Sequence, residues 1–163
     1  SMPRGVECWI CLEEGPDENG QPLVRDCSCR GDSGFSHMGC IIKYAERKSE
    51  EIEHDIDEGS MALWQQCPNC NQQYQNELEL NLANALISFT EKTFPYDTRI
   101  INPALPYHPF RYLEALYIKF CSLQHIVGRG GDMRFHEEAK RVGSEMSSVI
   151  WSVKMHTVQI FAP

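Results

Sequence analysis

No apolar run in the 163 residues approaches the ~18 that a membrane span requires, and no signal-peptide pattern is visible near Ser1. An intracellular chain, cytoplasmic or nuclear, with no membrane in this stretch, is the expectation. Positive charge is scarce in the first half: residues 1–75 hold 14 acidic and 6 basic side chains, whereas residues 76–163 hold 9 of each. The whole formal charge of −8 therefore lies before residue 76. That excess makes nucleic-acid phosphate an unfavourable partner and a basic protein surface a favourable one. The 42% of apolar residues suffice for one ordinary core, or for a metal-built module joined to a smaller helical domain. Ser1-Met2 reads as an expression remnant, and Phe161-Ala162-Pro163 follows an apolar pattern directly, as in a piece cut from something longer.

Cysteine, by contrast, is plentiful. Seven of the eight fall with His37 into four close pairs: Cys8-x₂-Cys11, Cys27-x-Cys29, His37-x₂-Cys40 and Cys67-x₂-Cys70, separated by 15, 7 and 26 residues. A disulfide framework belongs to secreted chains, so metal ligation is the better reading here. Zinc takes four soft or borderline donors in a tetrahedron, and a close pair on one turn supplies two of them without straining the chain. Four pairs make two sites. A lone Cys-x-x-Cys would also suit thiol redox chemistry; four pairs within 63 residues do not. His37 is singled out by Cys40 three residues on, while His54, His108, His125, His136 and His156 lack such a partner and read as ordinary side chains. Cys121 stands alone in a helical apolar pattern, where a thiol behaves as a small hydrophobe. Seven thiolates outweigh two Zn²⁺ and deepen the negative charge.

The ligand order, four cysteines, one histidine, then three cysteines, is shared by the RING-CH (RING-variant) and PHD finger families. The one-residue gap of Cys27-Ser28-Cys29, the seven residues before His37, and the absence of an aromatic at Gln65, with Trp64 one step early, make residues 6–73 resemble RING-CH fingers more closely. The local words Cys8-Trp9-Ile10-Cys11, Asp26-Cys27-Ser28-Cys29-Arg30-Gly31 and Cys67-Pro68-Asn69-Cys70 carry the same likeness. The resemblance implies a small zinc-stabilised α+β RING cross-brace over residues 1–75. Cys8, Cys11, His37 and Cys40 would hold one structural zinc, and Cys27, Cys29, Cys67 and Cys70 the other. It also implies a ubiquitin-protein ligase that recruits a ubiquitin-charged conjugating enzyme and promotes transfer to a substrate lysine. No residue of the finger would itself be catalytic. In the family, Ile10, Tyr44 and Pro68 occupy the partner-contact positions. Tyr44 replaces the usual tryptophan; Trp64 offers an indole from the far end of the loop, although a tryptophan just before a zinc pair more often packs inside. Many RING ligases follow the last ligand with an arginine or lysine that bridges conjugating enzyme and ubiquitin. Asn71 stands there, so weak intrinsic activity is expected. Two other readings stay open: a zinc-built interaction module without ligase activity, and a PHD-type peptide reader.

Between Cys40 and Cys67, Ile41, Tyr44 and Ala45 predict a helix leaving the metal site. Glu46, Glu50, Glu51, Glu53, Asp55, Asp57 and Glu58 then predict a solvated acidic end and loop. From residue 76 the pattern turns helical, and residues 76–163 read as an all-α appendage of about three helices that would carry a protein substrate or scaffold contact. Asn76 with Glu79 suggests a capping box before a face of Leu78, Leu82, Ala85 and Phe89. Residues 94–109, with four prolines, predict an irregular connection. A second helix has Leu113, Leu116, Tyr117, Phe120 and Val127 on its apolar face and stops at Gly128-Arg129-Gly130-Gly131. Asp132 caps a third, with the stripe Phe135, Ala139, Val142, Met146, Val149 and Val153. The helical half vaguely resembles tetratricopeptide pairs, but no ~34-residue repeat is present.

Overall fold

A computed structural model describes residues 5–51, 59–93 and 108–160. The acidic stretch from Glu53 to Glu58, and the connection expected over residues 94–109 as far as residue 107, lie outside the described residues, as does the side chain of Val153. The chain divides into two compact units, Ser1–Leu82 and Ala83–Pro163.

In the first unit, backbone pairing among the described residues is limited to the isolated bridges Glu7 with Glu14, Val24 with Ser36, and Gln66 with Gln73. The β part of the expected α+β module thus reduces to single pairings, because metal-ligand pairs rather than ladders turn the chain. A 3₁₀ turn, Gly31–Gly34, precedes helix α1 (Met38–Glu51), and a short α2 (Gly59–Ala62) leads into the last pair of cysteines. Ile41 and Ala45 lie one turn apart and bury the inner face of α1. Val6, Cys8 and Leu23 form a small core against which Ile10, Phe35 and Cys40 lean. Trp64 is 2% exposed, and its indole N–H donates to the Ser49 hydroxyl at 2.9 Å, tying the end of α2 to the last turns of α1. Helix α3 (Asn76–Thr93) starts in this unit. Asn76, at φ 55°, donates its side-chain amide to Asp26 Oδ1 at 3.1 Å, and the Gln75 N–H donates to the Asp26 carbonyl at 3.2 Å.

The second unit contains the rest of α3 together with α4 (His108–Gly128) and α5 (Met133–Ile160), and α4 packs along α5. Pro109 falls in the first turn of α4, where its missing N–H costs nothing. The helix ends in a Schellman motif. Gly130 takes φ 87°, its N–H donates to the Val127 carbonyl at 3.0 Å, and that of Gly131 to the Ile126 carbonyl at 2.9 Å. A side chain at Gly131 would meet the Ile126 carbonyl oxygen at 2.8 Å, so the stop requires glycine at both places. Asp132 then caps α5 by accepting from the Arg134 N–H at 2.9 Å.

The apolar faces are displaced from part of the expected stripes. On α4 the buried set is Ala115, Leu116, Ile118, Lys119, Ser122 and Leu123, while Tyr117, expected inside, is 58% exposed. At about 100° per residue the buried positions from Ala115 to Leu123 fill one arc of the helix, and Tyr117 falls on the opposite side. On α3 the buried positions include Ala83, Leu86 and Thr90 besides Leu78, Leu82 and Phe89, and Ala85 is only half-buried. Ala139, Val142 and Val149 of the α5 stripe are buried.

Candidate metal centre

Each close pair sits on a local turn that aims two donors the same way. In the first, the Leu12 N–H returns to the Cys8 carbonyl at 2.8 Å and the Cys8 N–H donates to the Glu13 carbonyl at 2.9 Å. The fourth pair repeats this, with Asn71 N–H to Cys67 carbonyl at 2.8 Å and Cys67 N–H to Gln72 carbonyl at 2.9 Å. Both turns require a left-handed residue just after the second cysteine: Leu12 at φ 63° and Asn71 at φ 56°. The third pair uses the start of α1, where the Cys40 and Ile41 N–H groups both donate to the His37 carbonyl at 3.1 Å. The second pair is held from outside. The Arg25 guanidinium donates to the Cys29 carbonyl and lies 5.0 Å over the Phe35 ring. Gly34 passes so close that a Cβ there would stand 3.2 Å from Cys29 Cβ.

The pairs converge in alternation. Donor atoms of Cys8, Cys11, His37 and Cys40 lie within 4.8 Å of one another, and so do those of Cys27, Cys29, Cys67 and Cys70. The antiparallel pairing of Val24 with Ser36, with N···O distances of 2.8 and 3.1 Å, links the segment entering the second pair to the one entering His37. Separations within the clusters identify what they are built for. Cys29 and Cys67 sulfurs are 3.6 Å apart, and His37 Nδ1 lies 3.4 Å from Cys11 Sγ and 3.8 Å from Cys40 Sγ. A disulfide needs about 2.0 Å between sulfurs. Bonds of about 2.3 Å to a tetrahedral zinc place neighbouring sulfurs about 3.8 Å apart, which is the observed scale. Three thiols with one imidazole, and four thiols, are donor sets that zinc takes, so the residues fit two zinc ions. With four protein donors at each site, no position is left for a catalytic water.

His37 is oriented for this role. Its Nε2 faces the Gly15 carbonyl at 2.9 Å, so Nε2 carries the proton and Nδ1 presents its lone pair to the three thiols. The ring is 3% exposed, and its backbone N–H reaches Cys8 Sγ at 3.5 Å.

The thiols do not ionise alike. Burial pushes Cys40 up to about 12, helped by the neighbouring Cys11 and Cys8. Burial also raises Cys8, but N–H groups of Cys11, His37 and Ile10 together outweigh it and bring that thiol down to about 7. In the second cluster Cys29 is held far above the ordinary range by burial and then by Cys67, Cys70 and Cys27, and Cys27 is raised chiefly by burial. Cys70, whose strongest interaction is with the Gln72 N–H, falls to about 7. Backbone dipoles thus favour one thiolate in each cluster; further negative charge calls for a cation in its midst. Tyr74, a neighbour absent from the ligand pattern, is 3% exposed and its hydroxyl is held protonated by burial and by the same thiols. Nothing in the ligand spacing marks it.

The sequence-assigned contact positions take different surroundings. Pro68 is exposed. Ile10 is half-buried against the Val6, Cys8 and Leu23 core. Tyr44 is half-buried with its ring edge-on to Trp9, centroids 5.6 Å apart at 69°. Trp64 lies inside and offers no indole surface. Asn71 is exposed. Leu12, which the ligand pattern does not single out, is the exposed large apolar side chain of this unit among the described residues, at 68%.

Residues 8–72 match the family model of the RING-variant domain. A 67-residue segment, 41% of the chain, is 28% identical to the E3 ubiquitin-protein ligase MARCHF5 of Xenopus laevis and covers 21% of that protein. The chain therefore spans about one fifth of this relative's length. No solved structure gives a significant match. Among the described residues no helix is long and apolar enough to cross a membrane.

Proposed function

We propose, on the premise that residues 8–72 are a RING-variant domain, that the chain acts as a RING-type ubiquitin-protein ligase. It binds a ubiquitin-charged conjugating enzyme and orients the thioester for attack by a substrate lysine. The observation that carries this reading is the pair of four-donor clusters built from alternating ligand pairs, which fit two zinc ions, with Ile10 on one knuckle and Pro68 on the other. The covalent chemistry stays on the conjugating enzyme: the lysine amine attacks the thioester carbonyl, and the enzyme's thiolate leaves. The finger contributes a surface that is rigid before binding, which lowers the ordering cost of association. Ile10 is braced by Val6, Cys8 and Leu23, and Tyr44 by the edge of Trp9. The relative whose name describes a ubiquitin ligase supports the same direction. The helical unit, with exposed Tyr117, Met133, Ile150 and Trp151, supplies surface for a protein substrate. An intracellular, reducing location suits cysteines that form no disulfide.

The test is discharge of ubiquitin from charged conjugating enzymes to free lysine, across a panel, with and without the protein. Faster discharge with at least one enzyme is expected. Background rates throughout, with a conjugating enzyme still bound, would select the second reading, an interaction module without ligase activity. That reading is favoured by one observation, the uncharged Asn71 after the last ligand. Of the two aromatics that a PHD-type peptide pocket would use, Trp64 is buried, which leaves Tyr44.

A further inference from the structure

Three of the four ligand pairs are closed by their own backbone. An N–H at or just after the second ligand returns to the carbonyl of the first: Leu12 to Cys8 and Asn71 to Cys67 at 2.8 Å, and Cys40 and Ile41 to His37 at 3.1 Å. Cys27-Ser28-Cys29 is one residue shorter, and among the described residues no backbone N–H returns to the Cys27 carbonyl. A side chain supplies the tie instead, as the Arg25 guanidinium donates to the Cys29 carbonyl. A long side chain loses rotamer freedom in making such a bond, so the bond holds well only where the rotamer is fixed by other contacts. Here it is fixed twice. The guanidinium carbon lies 5.0 Å over the Phe35 ring, and the pairing of Val24 with Ser36 keeps the two residues side by side. Gly34 leaves the slot open: a Cβ there would stand 3.2 Å from both Arg25 Nε and Cys29 Cβ, and 3.3 Å from the Cys29 carbonyl oxygen.

Charge calls for a cation at the same place. Four thiolates around one Zn²⁺ leave two formal negative charges, whereas three thiolates with an imidazole leave one, so the second cluster gains more from a neighbouring guanidinium. Arg25 is exposed, and water screens its charge; the larger share of its effect therefore lies in the bond to Cys29 and the geometry which that bond fixes. We infer that Arg25 is the positioning residue of the second zinc site. It stands in for the backbone closure that Cys27-x-Cys29 lacks, holds the Cys29 sulfur where a tetrahedron needs it, and so sets how tightly the second site, rather than the first, retains its metal. The inference rests on the fit of the donor sets to zinc and is independent of the ligase reading.

Cobalt(II) in place of zinc reads the two sites separately, because tetrahedral cobalt held by four thiolates absorbs at longer wavelength than cobalt held by three thiolates and an imidazole. The full chain, loaded with two cobalt ions, is titrated with EDTA at one pH, and a midpoint is read for each set of bands. In Arg25→Gln, which removes the charge and the planar fork, the four-thiolate midpoint should fall relative to the other by about tenfold. Arg25→Lys restores a cationic donor without the fork and should recover part of that loss. A general support of the fold would move both midpoints together. An unchanged ratio of midpoints in Arg25→Gln, whether neither set of bands moves or both move alike, would overturn the assignment. If Arg25→Gln takes up no cobalt, the ratio is read in Arg25→Lys: a fall of the four-thiolate midpoint relative to the other supports the assignment, and an unaltered ratio overturns it.

Discussion

Asn71 has two physical accounts that lead to different experiments. On the proposed ligase reading, the residue after the last zinc ligand is where a cationic side chain would bridge conjugating enzyme and ubiquitin. As the left-handed residue of the knuckle, at φ 56°, it suits the backbone better than arginine would. Both are tested by Asn71→Arg. The substitution should cost about 1 kcal/mol of stability through the backbone. It should leave affinity for the uncharged conjugating enzyme unchanged and raise discharge of the charged one, because a long cationic donor forms charge-assisted hydrogen bonds. Lower discharge at unchanged zinc content would instead place Asn71 in another contact. His37 carries a second prediction at this scale. In His37→Ala the first cluster keeps three thiols and loses the Gly15 carbonyl tie, so metal analysis after dialysis should fall below two zincs per chain and the finger should lose its fold. Two zincs in that variant would mean that the first cluster does not need its imidazole. The eight ligands were legible because each pair is local and zinc's requirements are strict. The ring nitrogen that faces the thiols was not, since it is set by Gly15, 22 residues away, and the left-handed backbone at Leu12 was not, since it belongs to a turn rather than to a motif.

Helix ends were the most readable elements, because their signals are short-range. Gly128-Arg129-Gly130-Gly131 and Asp132 form the Schellman stop and the cap that their types predict. Faces were less readable where polar residues enter them. Lys119 is 9% exposed on the inner side of α4, which an apolar stripe does not anticipate. It is accommodated because its ammonium meets Glu138 of α5 at 2.6 Å, and Glu138 also receives Arg141 at 2.7 Å. Arg141 and then Lys119 hold the Glu138 carboxyl down at about 2. A depressed carboxylate stabilises the fold above its unfolded value, near 4.5, and that contribution is lost as pH falls through about 2. Glu138→Gln should therefore destabilise the helical unit at pH 7 by about 1–3 kcal/mol, tempered by the carboxylate's partial exposure and raised by the buried ammonium left without its counter-charge. Thermal melts of both proteins should converge between about pH 5 and pH 2. A constant gap across that range would mean that the glutamate acts through packing rather than charge.

At the scale of the whole molecule, two kinds of stability are joined in one chain. The change of sequence pattern at residue 76 marks the onset of α3, but the compact units divide at Leu82 and Ala83, inside that helix. The reason lies outside any periodicity. Gln75 and Asn76 bond to Asp26, the residue before Cys27, and Leu78 and Leu82 are buried, so the first turns of α3 go with the metal-bound unit. That unit has little pairing between backbone segments and depends on its ligands for closure, whereas the helical unit buries Leu116, Leu123, Ala139 and Val142 and has no metal cluster among its described residues. Chelation is thus expected to act unequally. The protein as prepared should hold two zincs, and a ratio near one would break the alternating assignment of ligands. A strong chelator should abolish amide protection over residues 5–51 and 59–82 and leave that of α4 and α5 largely in place. Acid should act in the same direction on the first unit. With Cys40 at about 12 and Cys29 higher still in the absence of metal, zinc displaces protons on binding, so lowering the pH favours release. In buffers that fix free zinc, the free-zinc concentration at half-occupancy should rise from pH 8 to pH 6. If it stayed constant, the thiols would already be ionised without metal, and the burial that raises Cys40 and Cys29 would not be governing the site.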